Sequence, residues 1–155
     1  MTEPRAPELR HDPALDPRTG LEVLPRDECV RLLGAHALGR LAVVVGGRPL
    51  VFPVNYTLDG GSIVFRTDTG TKLFGAVPEH DVAFEIDGSD ALYHTGWSVL
   101  VVGTGREVTD PVELSRLTHV RLGPWCPGPK AHWVRIRPQA ITGRRILLHH
   151  EDAGG

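Results

Sequence analysis

Residues 38–67, LGRLAVVVGGRPLVFPVNYTLDGGSIVFRT, decide the architecture. Val, Leu, Ile and Phe crowd three runs, 38–45, 50–58 and 62–67, and each run reads as a β-strand. GGRP separates the first run from the second. DGG at 59–61 separates the second from the third and is a strong hairpin signal. Turns this short predict antiparallel neighbours.

The pattern continues on both sides. DVAFEID (81–87) alternates apolar and polar residues, as a half-buried strand does. GWSVLVVGTGREV (96–108) reads as a long strand, with Gly103 and Gly105 inside it where a sheet bends or bulges. HWVRIRP (132–138) and AITGRRILL (140–148) read as two closing strands. PRDECVRLLGAH (25–36) places Cys29, Val30, Leu32 and Leu33 toward one face of a short helix, with Pro25 in its first turn. TKLFGAV (71–77) reads as another short helix. DPVELSRL (110–117) is a third, with Asp110 at the N-cap, Pro111 at the first helical position and Glu113 at the capping-box position. GPWCPGPK (123–130) fits no regular element. The expectation is a mainly β, α+β fold. Six or seven glycine-kinked antiparallel strands close into a small barrel that leaves no free edge, flanked by short helices.

A chain of 155 residues suggests one domain with a proper core. Residues 1–24, rich in proline and charge, read as a flexible arm; 25–148 form the domain; 149–155 form a tail. The net charge of −2 gives no reason to expect nucleic acid or an acidic membrane as partner. No apolar run nears the roughly 20 residues that span a bilayer, and the N-terminus has no leader-type stretch. The expected compartment is the cytoplasm. Cys29 and Cys126 are the only cysteines and suggest no disulfide framework.

The richest chemistry lies in FRTDTGTKL (65–73). Arg66, Thr67, Gly70, Thr71 and Lys72 fall just past the end of a strand. If 71–77 is a helix, Thr71 and Lys72 stand at its positive end, where backbone N–H groups favour an anion. Arg66 adds a guanidinium fork and Lys72 a point charge. A capped turn with a solvated lysine accounts for the same residues. The segment lacks the spacing of a phosphate-binding Walker loop. GTGREV (103–108) lacks the third glycine of a dinucleotide fingerprint and sits inside a strand. The histidines show no metal-ligand spacing, so no metal is expected. No serine or cysteine sits in a nucleophile elbow, so no hydrolase is expected either. Trp97, Trp125 and Trp133 pack a core by default, and any of them could stack on a planar ring.

Taken together, 38–73, GWSVLVVGTGREV and HWVRIRPQAITGRRI resemble the pyridoxamine 5′-phosphate oxidase-like proteins, which are flavin-binding split β-barrels. The resemblance runs over about residues 25–148. It implies that the strand carrying Val54, Asn55 and Tyr56 lies along the polar edge of the isoalloxazine. It implies that Arg66, Thr67, Thr71 and Lys72 hold the FMN phosphate. It further implies a homodimer with the cofactor at the interface, approached from the other subunit by Trp97, Ser98 and Trp133. The Arg-x-His element of the true vitamin B6 oxidases is missing from WVRIRPQAITGRRI, and the chain is shorter. That sets it with the smaller branch that includes nitroimidazole-reductase-like members. The implied activity is FMN-dependent oxidoreduction by hydride transfer to a small molecule, and no catalytic side chain stands out as a proton donor. A deazaflavin-dependent reductase on the same fold, or a non-catalytic flavin- or haem-binding sensor or carrier, are the alternatives.

Overall fold

The computed structural model describes residues 14–68, 79–122 and 132–147. Its elements are β1 (Glu22–Leu24), α1 (Arg26–Ala35), β2 (Leu38–Val45), β3 (Arg48–Asp59), β4 (Ser62–Thr67), β5 (His80–Asp90), β6 (Thr95–Glu107), α2 (Pro111–Leu117) and β7 (His132–Ile146). The expected helix at 71–77 and the GPWCPGPK segment lie outside the described residues.

Six strands close a ring. The sheet runs β7-β4-β3-β2-β5-β6, and β6 returns to pair with β7. The short β1 adds a seventh strand by pairing with β7. Every pairing is antiparallel. This is the expected barrel, although nothing in the composition of the first 24 residues announced β1. Both early hairpins turn on glycine pairs, Gly46–Gly47 and Gly60–Gly61, all four with positive φ. Two successive left-handed residues give the turn whose twist matches that of the flanking strands.

Alternation along the strands fills the barrel. Leu41, Val43, Tyr56, Ile63, Phe65, Phe84, Ile86, Val99, Val101, Val134 and Ile136 form its buried interior. Helix α1 closes one opening with Cys29, Leu32 and Leu33, spaced i, i+3, i+4. Val30, expected on the same face, is exposed, because one residue turns a helix by about 100°. Helix α2 lies outside the barrel, where Leu117 joins Val64, Val108 and Trp133 in a second buried cluster.

Two local expectations need correction. The two closing strands are one. β7 runs unbroken, and the register passes from Val102↔Ala140 to Gly103↔Pro138. Gln139 is therefore the extra residue of a bulge, beside a proline that has no amide to donate. Gly103 is required there, because a Cβ on it would lie 2.1 Å from the Arg137 carbonyl oxygen. At α2, Asp110 caps the helix by accepting from the Glu113 amide at 3.0 Å. The Glu113 carboxylate does not complete a capping box. It turns instead to Arg135 at 2.7 Å and Arg106 at 3.3 Å.

Candidate functional site

The strand-end residues come together where β3, β4 and β7 meet. Arg66 stands opposite Trp133 in the β4–β7 ladder. Its guanidinium carbon is 5.4 Å from the centre of the Trp133 ring. Trp133 is buried in the second cluster, so it forms a floor beneath an exposed arginine head. Thr67, next along the strand, faces the other way and is buried. It is opposite His132, whose Nδ1 is 2.5 Å from Glu107 Oε1. Thr71 and Lys72 lie outside the described residues.

On β3, Tyr56 pairs with Phe65 of β4, which places Val54 and Asn55 beside this region. The Tyr56 side chain belongs to the core. Its hydroxyl donates to the Leu33 carbonyl at 2.7 Å, its ring meets Phe84 edge-on, and burial pushes its phenol well above the usual range. Its amide donates to the Ala37 carbonyl at 2.9 Å. Val54 is half-buried and packs against the core. Asn55 is half-buried too, and its Oδ1 is buried with no donor among the described residues. Leaving such an acceptor unmatched costs on the order of 1–3 kcal/mol.

Ala37 carries this band one step further, to His36 at the end of α1. The His36 ring packs against Trp97, with centroids 4.8 Å apart and planes tilted by 52°. His36 Nδ1 lies 2.8 Å from the Leu32 carbonyl oxygen. A carbonyl can only accept, so Nδ1 carries the proton and Nε2 of the neutral ring is left as an acceptor. The two rings line a cavity of about 510 Å³ walled by the ends of β5, β6 and β7. Trp97 is opposite Gly88 on one side and Arg145 on the other. Ser98, half-buried, is opposite Asp87 and Arg144.

The sequence-predicted residues thus fall into two groups joined by β3 and the α1–β2 junction. Arg66, Thr67 and Trp133 form one, Trp97 and Ser98 the other, and Val54–Tyr56 lie between them. His36, Gly88 and Arg145 were not singled out from the sequence. His36 belongs to no motif, and only the packing of α1 onto the barrel brings it to Trp97. Among the described residues, no group of three or more His, Cys, Asp or Glu could hold a metal ion. Cys29 is a buried free thiol, and burial pushes its pKa up, so it is unsuited to nucleophilic work. No described helix is long and apolar enough to cross a membrane.

A closed ring of six antiparallel strands flanked by two short helices defines the class, a split β-barrel. The family model for pyridoxamine 5′-phosphate oxidase matches residues 25–145, and the chain belongs to that family. Among solved structures, it is similar to a candidate pyridoxamine 5′-phosphate oxidase from Corynebacterium glutamicum. The two are 37% identical with a TM-score of 0.73, over 83% of this chain and 99% of that one. It is similar to an FAD-binding protein from Mycobacterium smegmatis, at 39% identity and a TM-score of 0.65, over 79% of this chain and 96% of that one. It is also similar to an FAD-binding protein from Mesorhizobium loti, at 26% identity and a TM-score of 0.65, over 82% of this chain and 99% of that one.

Proposed function

We propose that the protein is a homodimeric oxidoreductase that works through a bound flavin, taken as FMN or as the FMN half of FAD. The observation that carries this reading is an exposed Arg66 on β4 and, on the neighbouring β3, an Asn55 acceptor with no donor among the described residues, in a chain whose similar structures include FAD-binding proteins. The donor set fits the group. Among the described residues the exposed Arg66 would meet the phosphate; Thr67 beside it is buried and faces the other way, and Thr71 and Lys72 follow in the chain. The Asn55 Oδ1 has no donor among the described residues, and the polar edge of a flavin ring presents an N–H. When bound, the flavin would supply hydride chemistry; the protein would bind and orient it and keep water from it.

A second copy of the chain is part of the reading. The outward side chains of five neighbouring strands line up as Val51, Ala42, Ala83, Val102 and Ala140 in register. Val51 is 62% exposed and Val102 44% exposed. An apolar row of this width suits burial against another subunit. Trp97 and Ser98 of one subunit would then approach the flavin held by the other, while Trp133, expected from the sequence to do the same, is buried beneath Arg66 of its own chain and would stay beside that subunit's phosphate.

The test is the absorbance spectrum of the purified protein before and after denaturation, with the released cofactor identified by mass. A flavin spectrum and an FMN or FAD mass are expected. A colourless protein that takes up neither FMN nor FAD on titration would overturn the reading.

A further inference from the structure

We infer that a small cavity on the outer face of the sheet, where β4, β7 and β6 run side by side, is a binding site for a tetrahedral oxyanion: inorganic phosphate or the phosphate group of a small metabolite. This inference does not depend on the flavin reading. The cavity measures about 100 Å³ and is lined by Ser62, Glu79, Thr104, Arg106, Arg135 and Arg137. A water takes up about 30 Å³ of liquid and a cofactor pocket at least roughly 300 Å³, so the space suits a single anionic head. Register brings the cations together. Arg106 stands directly opposite Arg135, and Arg137 directly opposite Thr104. Like charges facing across a ladder repel, so the arrangement needs an anion between them. Glu113 of α2 supplies one, accepting from Arg135 Nε at 2.7 Å and Arg106 Nη2 at 3.3 Å. Asp59 takes another Arg135 donor at 2.8 Å, and that side chain is left only 12% exposed.

Arg137 is held differently. Its side chain is 69% exposed, and its partner is Glu79 at 3.1 Å, an exposed carboxylate. An exposed pair of this kind contributes little and gives way to a stronger anion. Other donors are unspent. Among the described residues, Nε and Nη1 of both Arg106 and Arg137 have no acceptor, and the Ser62 and Thr104 hydroxyls have no hydrogen-bond partner. Two guanidinium forks and two hydroxyls around so small a space are a donor set for phosphate. Glu79 is the carboxylate of the lining, and the anion would take its place on Arg137. Asp81, opposite Thr104 on β5, is not part of the lining. The site is distinct from the strand end at Arg66. Ser62 and Arg66 are four residues apart on β4, about 13 Å at roughly 3.3 Å per residue. Val64 lies between them, sealed in the cluster with Leu117 of α2.

The experiment titrates the full-length protein with inorganic phosphate and with glycerol phosphate in a zwitterionic buffer, with potassium chloride at matched ionic strength as the control. Calorimetry reports binding. A saturable phosphate site is expected that chloride does not fill. Arg137→Ala should weaken it about tenfold or more, as the loss of a charge-assisted contact does. The fold should survive, because that side chain is exposed. Ser62→Ala combined with Thr104→Val removes both hydroxyls, keeps every charge, and should weaken phosphate at least threefold. Arg66→Ala should leave this binding within twofold. Glycerol phosphate assigns the source. Affinity within tenfold of inorganic phosphate identifies the phosphate group of a metabolite, weaker binding identifies the free ion, and either supports the site. Heats no larger than those of chloride would overturn the inference, as would full affinity in Arg137→Ala. Phosphate binding lost in Arg66→Ala and kept in Arg137→Ala would place the anion at the strand end instead and overturn it too.

Discussion

Trp97 lies across Gly88 so closely that a Cβ at position 88 would fall 2.6 Å from the indole Nε1 and within 2.9 Å of two further ring atoms. The pair joins β5 to β6 and sets one wall of the cavity of about 510 Å³. Gly88→Ala should therefore push the indole off its seat. Overpacking of this kind costs about 1–3 kcal/mol. Urea unfolding should show the loss, and the tryptophan emission maximum should move to the red as the ring gains water. An unchanged midpoint and spectrum would mean that the indole has room to move.

Tyr56 offers a second test, because its sequence position and its side chain point to different roles. The resemblance drew attention to its backbone as a cofactor contact, while its side-chain hydroxyl donates to Leu33 inside the barrel. Tyr56→Phe keeps the ring against Phe84 and removes the donor. A stability loss of about 1–2 kcal/mol is expected, with flavin affinity unchanged. A large loss of flavin affinity without a change in stability would show that the hydroxyl faces the ligand instead.

The strand pattern was legible because burial has a period of two and each hairpin carries its own glycine turn. The limits of β2 and β4 could be read almost to the residue for that reason. Other features depend on partners distant in sequence. β1 has three residues and no pattern of its own, and it exists because β7 has an edge to offer. The join at Gln139 reads as a break, and only the opposing Gly103 shows it to be a bulge. In the candidate site, Arg66 and Thr67 stand out locally as anion-friendly groups at a strand end. His36 has no local signature at all, since its meaning comes from a tryptophan 61 residues later.

Helix α2 is held to the barrel by ions as well as by Leu117. Asp59 accepts from Arg116 and Arg135, each at 2.8 Å, and Arg135 also reaches Glu113. The hydrogen bond from Arg116, then that from Arg135, holds the Asp59 carboxyl well below its ordinary value of 3.8. A depressed folded-state pKa contributes stability that is complete above the unfolded value and lost as pH falls through the folded one. The stability of the wild type should therefore decline below about pH 4. Asp59→Asn should lower stability by about 1–3 kcal/mol at pH 7 and flatten that acid decline. Parallel acid curves for the two proteins would remove Asp59 from the account.

The proposed dimer rests on the apolar row through Val102. Val102→Glu puts a carboxylate within the row, on an outward position where the isolated barrel tolerates it. Sedimentation should find a dimer for the wild type and a folded monomer for the variant, with flavin bound more weakly if the interface completes the site. A wild type that is monomeric at micromolar concentration with flavin bound would contradict the proposed assembly.

Arg66 gives the sharpest test of the flavin reading. Trp133 supports its guanidinium from below, and the register fixes both at the end of β4. If the fork meets the phosphate, it makes a charge-assisted contact of about 1.5–3 kcal/mol. Arg66→Ala should then weaken FMN roughly tenfold to a hundredfold. Riboflavin, which lacks the phosphate, should lose far less. Arg66→Lys should recover part of the affinity, since it restores the charge without the fork. The fold should survive, because the side chain is exposed. Fluorescence titration of both ligands against all three proteins decides the matter. Equal losses for FMN and riboflavin would mean that Arg66 acts on the ring or on the fold. No loss for either would leave it a solvated arginine resting on an indole, and the phosphate would have to be held by other residues.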